Sequence, residues 1–176
     1  MHALRLLAED DANEFWHFRL GGLKESPEAF TESASELRSS PVAVTAQRLR
    51  QSGDDNFVVG AFADSRLVGT AGFFRSQGSK TAHKGRVWGV YVDPAFRRRG
   101  IAVAMMKFLL GRIVRIDGLR QVSLTVATTQ VAAIALYESL GFKRIGVEPC
   151  SLRLDDSYVD EEYRVLIFDE ARMGER

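Results

Sequence analysis

The chain has 176 residues, 45% hydrophobic and 27% charged, with a formal net charge of +1. That length suits one domain, taken as residues 1–176, with a core that needs no covalent staples. The near-neutral balance argues against a general nucleic-acid binder, and Cys150, the only cysteine, excludes an intramolecular disulfide or a cysteine zinc cluster.

The start of the chain meets Glu9, Asp10 and Asp11 before any long apolar run, so no secretory leader is expected. No later segment approaches the roughly 20 apolar residues of a membrane helix. A cytoplasmic protein without a membrane partner is expected. Ala3 to Ala8 forms a first strand, and Asp10 or Asp11 caps a helix that runs to about Leu23. Residues 24–40 are polar, punctuated by Pro27 and Pro41, and Val42 to Gln51 is helical again.

Phe57 to Ala63 and Leu67 to Phe74 form a hairpin around Asp64-Ser65-Arg66. A basic loop from Ser76 to Gly85 carries Lys80, His83 and Lys84, and a strand from Arg86 to Val92 stops at Asp93-Pro94. A long apolar-periodic helix follows over Gly100 to Ile116, then a strand at Gln121 to Ala127 and a helix at Gln130 to Leu140. Strands at Phe142 to Val147 and Tyr163 to Phe168 complete a mixed α/β order with helices on the faces of one sheet. The polar end after Glu170 is expected to fray.

The most informative stretch is Val90 to Ala102, where a strand ends, a basic loop follows and small residues open a helix. Unpaired N–H groups at a helix start, at the positive end of the macrodipole, bind phosphate. Gly100 and Ala102 keep bulk away from a pyrophosphate, and Arg97, Arg98 and Arg99 add charge. Alone, such a run also fits a solvated face with a turn glycine. Neither the G-x-G-x-x-G of a dinucleotide fold nor the Gly-Lys-Ser/Thr of a P-loop occurs.

Arg97, Gly100 and Ala102 resemble motif A of the GNAT acetyltransferase superfamily, R/Q-x-x-G-x-G/A. Ala133 to Phe142 is similar to the family's A-I-x-L-Y-x-x-x-G-F, with Gln130 where the family often has asparagine. The resemblance spans residues 87–147. It implies a mixed, mostly antiparallel sheet, flanked by helices and splayed between strands four and five to admit acetyl-CoA as cosubstrate, with no metal. It further implies that Val90, Tyr91 and Val92 offer backbone groups to pantetheine, while Arg97, Arg98, Arg99, Gly100, Ile101 and Ala102 hold the pyrophosphate and Gln130 contacts the cofactor.

The implied chemistry is direct attack of a primary amine on the thioester within a ternary complex. An alkylamine has a pKa of about 10.4, so only about one molecule in a thousand is nucleophilic near neutrality. A base or a desolvated pocket is therefore useful. An N–H on the edge of the fourth strand, that of Tyr91 or Val92, would meet the oxyanion. Tyr137 is the candidate acid for the departing thiolate, since Gln130, Ala133, Ile134 and Tyr137 share a helix face; the alternative is a core tyrosine. The base stays open among Glu28, Glu32, Glu148 and His83, with an ordered water relay as another route.

Glu25, Glu28, Glu32 and Glu36, with Trp16, Phe18 and Phe30 nearby, suggest an acidic, aromatic mouth for a cationic amine, or else a solvated face. The partner is the amine of a small molecule or peptide, without nucleic acid, and a homodimer stays open. Two other classes compete: a non-catalytic acyl-CoA-binding or regulatory module and, more distantly, a nucleic-acid module, which would need a broader basic face.

Overall fold

Seven strands hydrogen-bond into one sheet in the order β1-β2-β3-β4-β5-β7-β6. The computed structural model describes residues 2–168; the chain end after Glu170 lies outside them. The strands are β1 (Ala3–Leu6), β2 (Asn56–Ala63), β3 (Arg66–Arg75), β4 (Lys84–Val92), β5 (Gln121–Ala127), β6 (Lys143–Leu154) and β7 (Ser157–Ile167). Among the described residues five α-helices accompany them: α1 (Ala12–Glu25), α2 (Ala34–Ser39), α3 (Val42–Arg50), α4 (Ile101–Ile113) and α5 (Val131–Ser139). Every strand pair is antiparallel except β4 with β5.

β2 and β3 are buried on both faces because helices cover both. On one face Phe57, Val59 and Phe73 pack with α4, whose Ile101, Met105, Leu109 and Ile113 recur every four residues and form its buried stripe. On the other, Val58 and Leu67 pack with Phe15 of α1, Leu49 of α3 and the partly buried Trp88. Burying such side chains contributes about 1.5–3 kcal/mol each. The sheet thereby holds β4 fixed between two cores.

Three local expectations change. The Asp11 carboxylate does not cap α1; it accepts from Arg5 and from the Ala8 amide. Residues 34–39 form a helix, α2, that polarity alone conceals. Its signal is the Ser33-x-x-Glu36 box, in which the Glu36 amide donates to Ser33 Oγ at 3.2 Å and the Ser33 amide to Glu36 Oε2 at 2.6 Å. The last two strands are far longer than their apolar cores and meet as a hairpin, with a register break between Glu148 and Leu152 where Cys150 is left-handed (φ 53°).

Among the described residues no helix is long and apolar enough to cross a membrane.

Candidate active site

β4 and β5 pair only through Lys84–Gln121, Gly85–Val122 and Arg86–Ser123. Beyond Arg86 they diverge, and a gap opens through the middle of the sheet. A bulge starts the divergence on the β3 side: Thr70 faces Tyr91 and Gly72 faces Trp88, so Gly89 and Val90 together oppose one residue. Gly89 is left-handed (φ 59°), the conformation a bulge of this kind requires and glycine adopts without strain. Thr70 Oγ1 donates to the Gly89 carbonyl at 3.1 Å and fixes it.

A cleft of about 540 Å³ lies on one side of the gap. Its walls are Val90 to Val92 of β4, Val126 and Ala127 of β5, the N-terminus of α4, and Ala133, Leu136 and Tyr137 of α5. Gly100 precedes α4 in the left-handed region (φ 76°), and no side chain caps the helix. The first helical bond runs from the Ala104 amide to the Gly100 carbonyl, so the amides of Ile101, Ala102 and Val103 point onward without helical partners. A Cβ added at Gly100 would meet nothing within 4 Å, so the space beside these amides is open. Arg98 is also left-handed (φ 62°), and left-handed residues so close together curl amides into an anion-binding concavity. This donor set fits the pyrophosphate of a coenzyme A ester.

The structure brings together every expected cofactor position except Arg99 at this cleft. Arg99 turns back, donating to the Ala95 carbonyl at 3.0 Å and stacking over Phe96. A run of three arginines around a tight turn cannot aim all three the same way. Arg97 is at the cleft but engaged: its Nε donates to the Val92 carbonyl at 2.9 Å and its Nη2 lies 2.8 Å from Glu25. Gln130 donates to Glu28 Oε1 at 2.5 Å, which ties α5 to the segment after α1. Ile134, expected on the cleft face of α5, packs into the core instead.

Tyr137 is 6% exposed, and burial pushes its phenol well above the ordinary value. It stays neutral and keeps its proton at any ordinary pH. Its hydroxyl has no hydrogen-bond partner among the described residues, where the one sealed and unpartnered side-chain polar atom is Arg112 Nε. Tyr137 is among the residues that line the cleft. Tyr91 is pushed up to about 12, chiefly by burial and then by the Glu25 charge.

On the other face of the gap lies a second cleft, of about 620 Å³. Both clefts are lined by Ala29, Val87, Trp88, Gly89 and Thr125, so they meet at the bulge. The four glutamates of the expected acidic mouth are scattered. Glu25 serves Arg97 and Tyr91, Glu28 serves Gln130, Glu32 pairs with Arg19 at 2.8 Å, and Glu36 caps α2. Glu148 accepts from the Tyr163 hydroxyl at 2.6 Å. His83 precedes β4, at the end of the strand remote from the gap. Sequence reasoning missed Glu161, a carboxylate 8% exposed that lines the second cleft and accepts from Ser151 Oγ at 2.6 Å. Its position depends on the long β6–β7 hairpin, which no local pattern announces.

The model of the acetyltransferase (GNAT) family matches residues 23–142. The chain belongs to that family. An N-alpha-acetyltransferase RimI of Mycobacterium tuberculosis is 39% identical over 96 residues, covering 52% of this chain and 55% of the relative. The matched segments span only 25% to 55% of the length of the curated relatives. A GNAT-family acetyltransferase from Streptococcus pneumoniae superposes with a TM-score of 0.88 at 18% identity, over 96% of this chain and 100% of that one. YncA of Salmonella typhimurium, solved with its cofactor acetyl-CoA, gives a TM-score of 0.80 at 17% identity, over 97% and 95%. These likenesses share the GNAT fold, with its mixed, mostly antiparallel sheet.

Proposed function

We propose that this protein transfers an acetyl group from acetyl-CoA to a primary amine, by direct attack within a ternary complex. The observation that carries this reading is the meeting of two clefts at Trp88 and Gly89, one beside an uncapped helix N-terminus and the other lined with polar groups. Two molecules entering from opposite faces of the sheet would touch where β4 and β5 part.

Bound acetyl-CoA supplies a thioester carbonyl as electrophile. The amides of Ile101, Ala102 and Val103, with Arg98, hold its phosphates. Val90, Tyr91 and Val92 present the free inner edge of β4 to an extended chain, and an N–H there offers a donor for developing negative charge. Tyr137 stays protonated through burial and donates its O–H toward the departing sulfur. A thiol pKa near 8.5 makes that help modest, because a thiolate already leaves tolerably well. On the acceptor side, Glu161, which lines the second cleft and accepts from Ser151, would take the amine proton, directly or through water.

Coenzyme A release, measured against a panel of amines, amino acids, peptides and aminoglycosides, tests the reading, with calorimetry of acetyl-CoA binding alongside. Binding with turnover of at least one amine is expected. Binding without turnover across the panel would point to an acyl-CoA-binding module, and no binding at millimolar acetyl-CoA would remove the assignment.

A further inference from the structure

Resting on the acetyl-transfer reading, we propose that the acceptor carries a carboxylate close to its amine and that Arg86 holds it. Strand alternation puts Arg86 and Trp88 on one face of β4. Arg86 belongs to the last β4–β5 pair, opposite Ser123, at the closed end of the gap. Its Nη2 reaches along the gap to donate to Thr125 Oγ1 at 3.0 Å. The guanidinium therefore lies in the floor of the second cleft, near the level of Trp88.

That guanidinium is half-buried and makes no ion pair among the described residues, although the Glu161 carboxylate lines the same cleft. Among the described residues no carboxylate oxygen lies within 4.0 Å of it, and its one side-chain partner is a neutral hydroxyl. Two other arginines of the same cleft are neutralised, Arg19 by Glu32 and Arg75 by Asp55. Arg48, exposed at the rim, adds a second cation without an ion pair among the described residues. A guanidinium has five N–H donors in a planar fork that matches a carboxylate. One donor here is engaged by Thr125, and the fork is free to take an anion with the Thr125 hydroxyl beside it.

Geometry limits how far that anion lies from the reacting amine. Trp88 and the bulge at Gly89 are adjacent residues, about 3.3 Å apart along the strand. A carboxylate held beside Trp88 and an amine at the bulge would then be a few covalent bonds apart. That spacing describes a free amino acid, or an N-terminal residue with an acidic side chain. The Arg86 charge also disfavours an ammonium nearby, which raises the share of neutral, nucleophilic amine.

The test compares alanine, leucine, methionine and phenylalanine as free acids with the same amino acids as carboxamides, in wild type and in Arg86→Gln and Arg86→Lys. A second arm compares carboxamide-ended peptides starting with Asp or Asn. Wild type is expected to favour the carboxylate member of a pair at least tenfold in kcat/KM, mainly through KM. Arg86→Gln should erase the preference and Arg86→Lys keep part of it, both with wild-type affinity for acetyl-CoA. Preference within the first arm places the carboxylate on the main chain, and preference in the second alone places it on the side chain. Calorimetry with coenzyme A and the N-acetylated acids and amides repeats the comparison without turnover. Equal handling of acid and amide by wild type, or equal loss of both in Arg86→Gln, overturns the proposal while leaving acetyl transfer intact. Failure to bind acetyl-CoA would instead overturn the reading beneath it.

Discussion

Arg97 Nη2 lies 2.8 Å from Glu25 Oε2, joining the turn after β4 to the last residue of α1. The same carboxylate accepts from the Tyr91 hydroxyl at 3.1 Å. The first arginine of the turn thus already has a counter-charge.

The Ser26 hydroxyl first, then Arg97 and Tyr91, hold the Glu25 carboxyl below its ordinary value. Stability from this network is complete above the ordinary carboxyl value, about 4.3, and is lost as pH falls through the depressed folded value. Wild type should therefore lose more stability between pH 6 and pH 3 than Glu25→Gln does, by urea unfolding. Both partners are about 40% exposed, so the difference at pH 6 should stay below about 1 kcal/mol. Parallel pH profiles would remove Glu25 from the network.

Gly100→Glu should abolish acetyl-CoA binding by calorimetry, a loss of about a hundredfold or more, while the protein remains folded by circular dichroism. A carboxylate there puts bulk and like charge beside the unpaired α4 amides. Gly100→Ala shares the left-handed backbone strain, of order 1 kcal/mol, without the charge. It should retain most of the affinity. Unchanged binding in Gly100→Glu would rule out this turn as the phosphate site.

Tyr137→Phe removes a hydroxyl that has no partner among the described residues, so fold and acetyl-CoA affinity should change little. A fall in kcat of roughly ten- to a hundredfold is expected, with kcat/KM falling in step. Wild-type kcat on a good acceptor would reduce Tyr137 to packing.

Arg164 on β7 is 2% exposed and donates to Glu162 at 2.7 Å and to Glu138 at 2.9 Å. Arg164→Ala leaves the Glu162 carboxylate buried with only Arg144, 3.5 Å away. Breaking a buried pair in this way costs about 3 kcal/mol, a Tm loss on the order of 10 °C at this chain length. A loss within 2 °C on a thermal melt would show the pair to be dispensable.

The turn into α4 was legible because its information is local: a strand end, a glycine and an apolar period of four in α4. The glutamates were not. Glu28, Glu32 and Glu36 are spaced as on one helix face, yet Glu28 lies in a 3-10 turn after Ser26, Glu32 in a loop and Glu36 in α2. Each finds a different partner. Arg97, Arg98 and Arg99 look equivalent in sequence, but backbone torsion sends the third away from the cleft. Glu161 and Arg86 gain their meaning from β5 and β7, whose pairing is long-range and leaves no local signal.

The parting of β4 from β5 also means that this molecule carries two sheet edges in its interior. Elsewhere an unpaired edge is a liability that invites a stray strand. Lined by α4 and α5, it becomes a slot that would admit an elongated, amide-bearing ligand as a substitute strand. What reads such a ligand is main chain, identical whichever side chains flank it. The side chains that only flank the main chain along the slot are then free to change so long as the bulge at Gly89 persists.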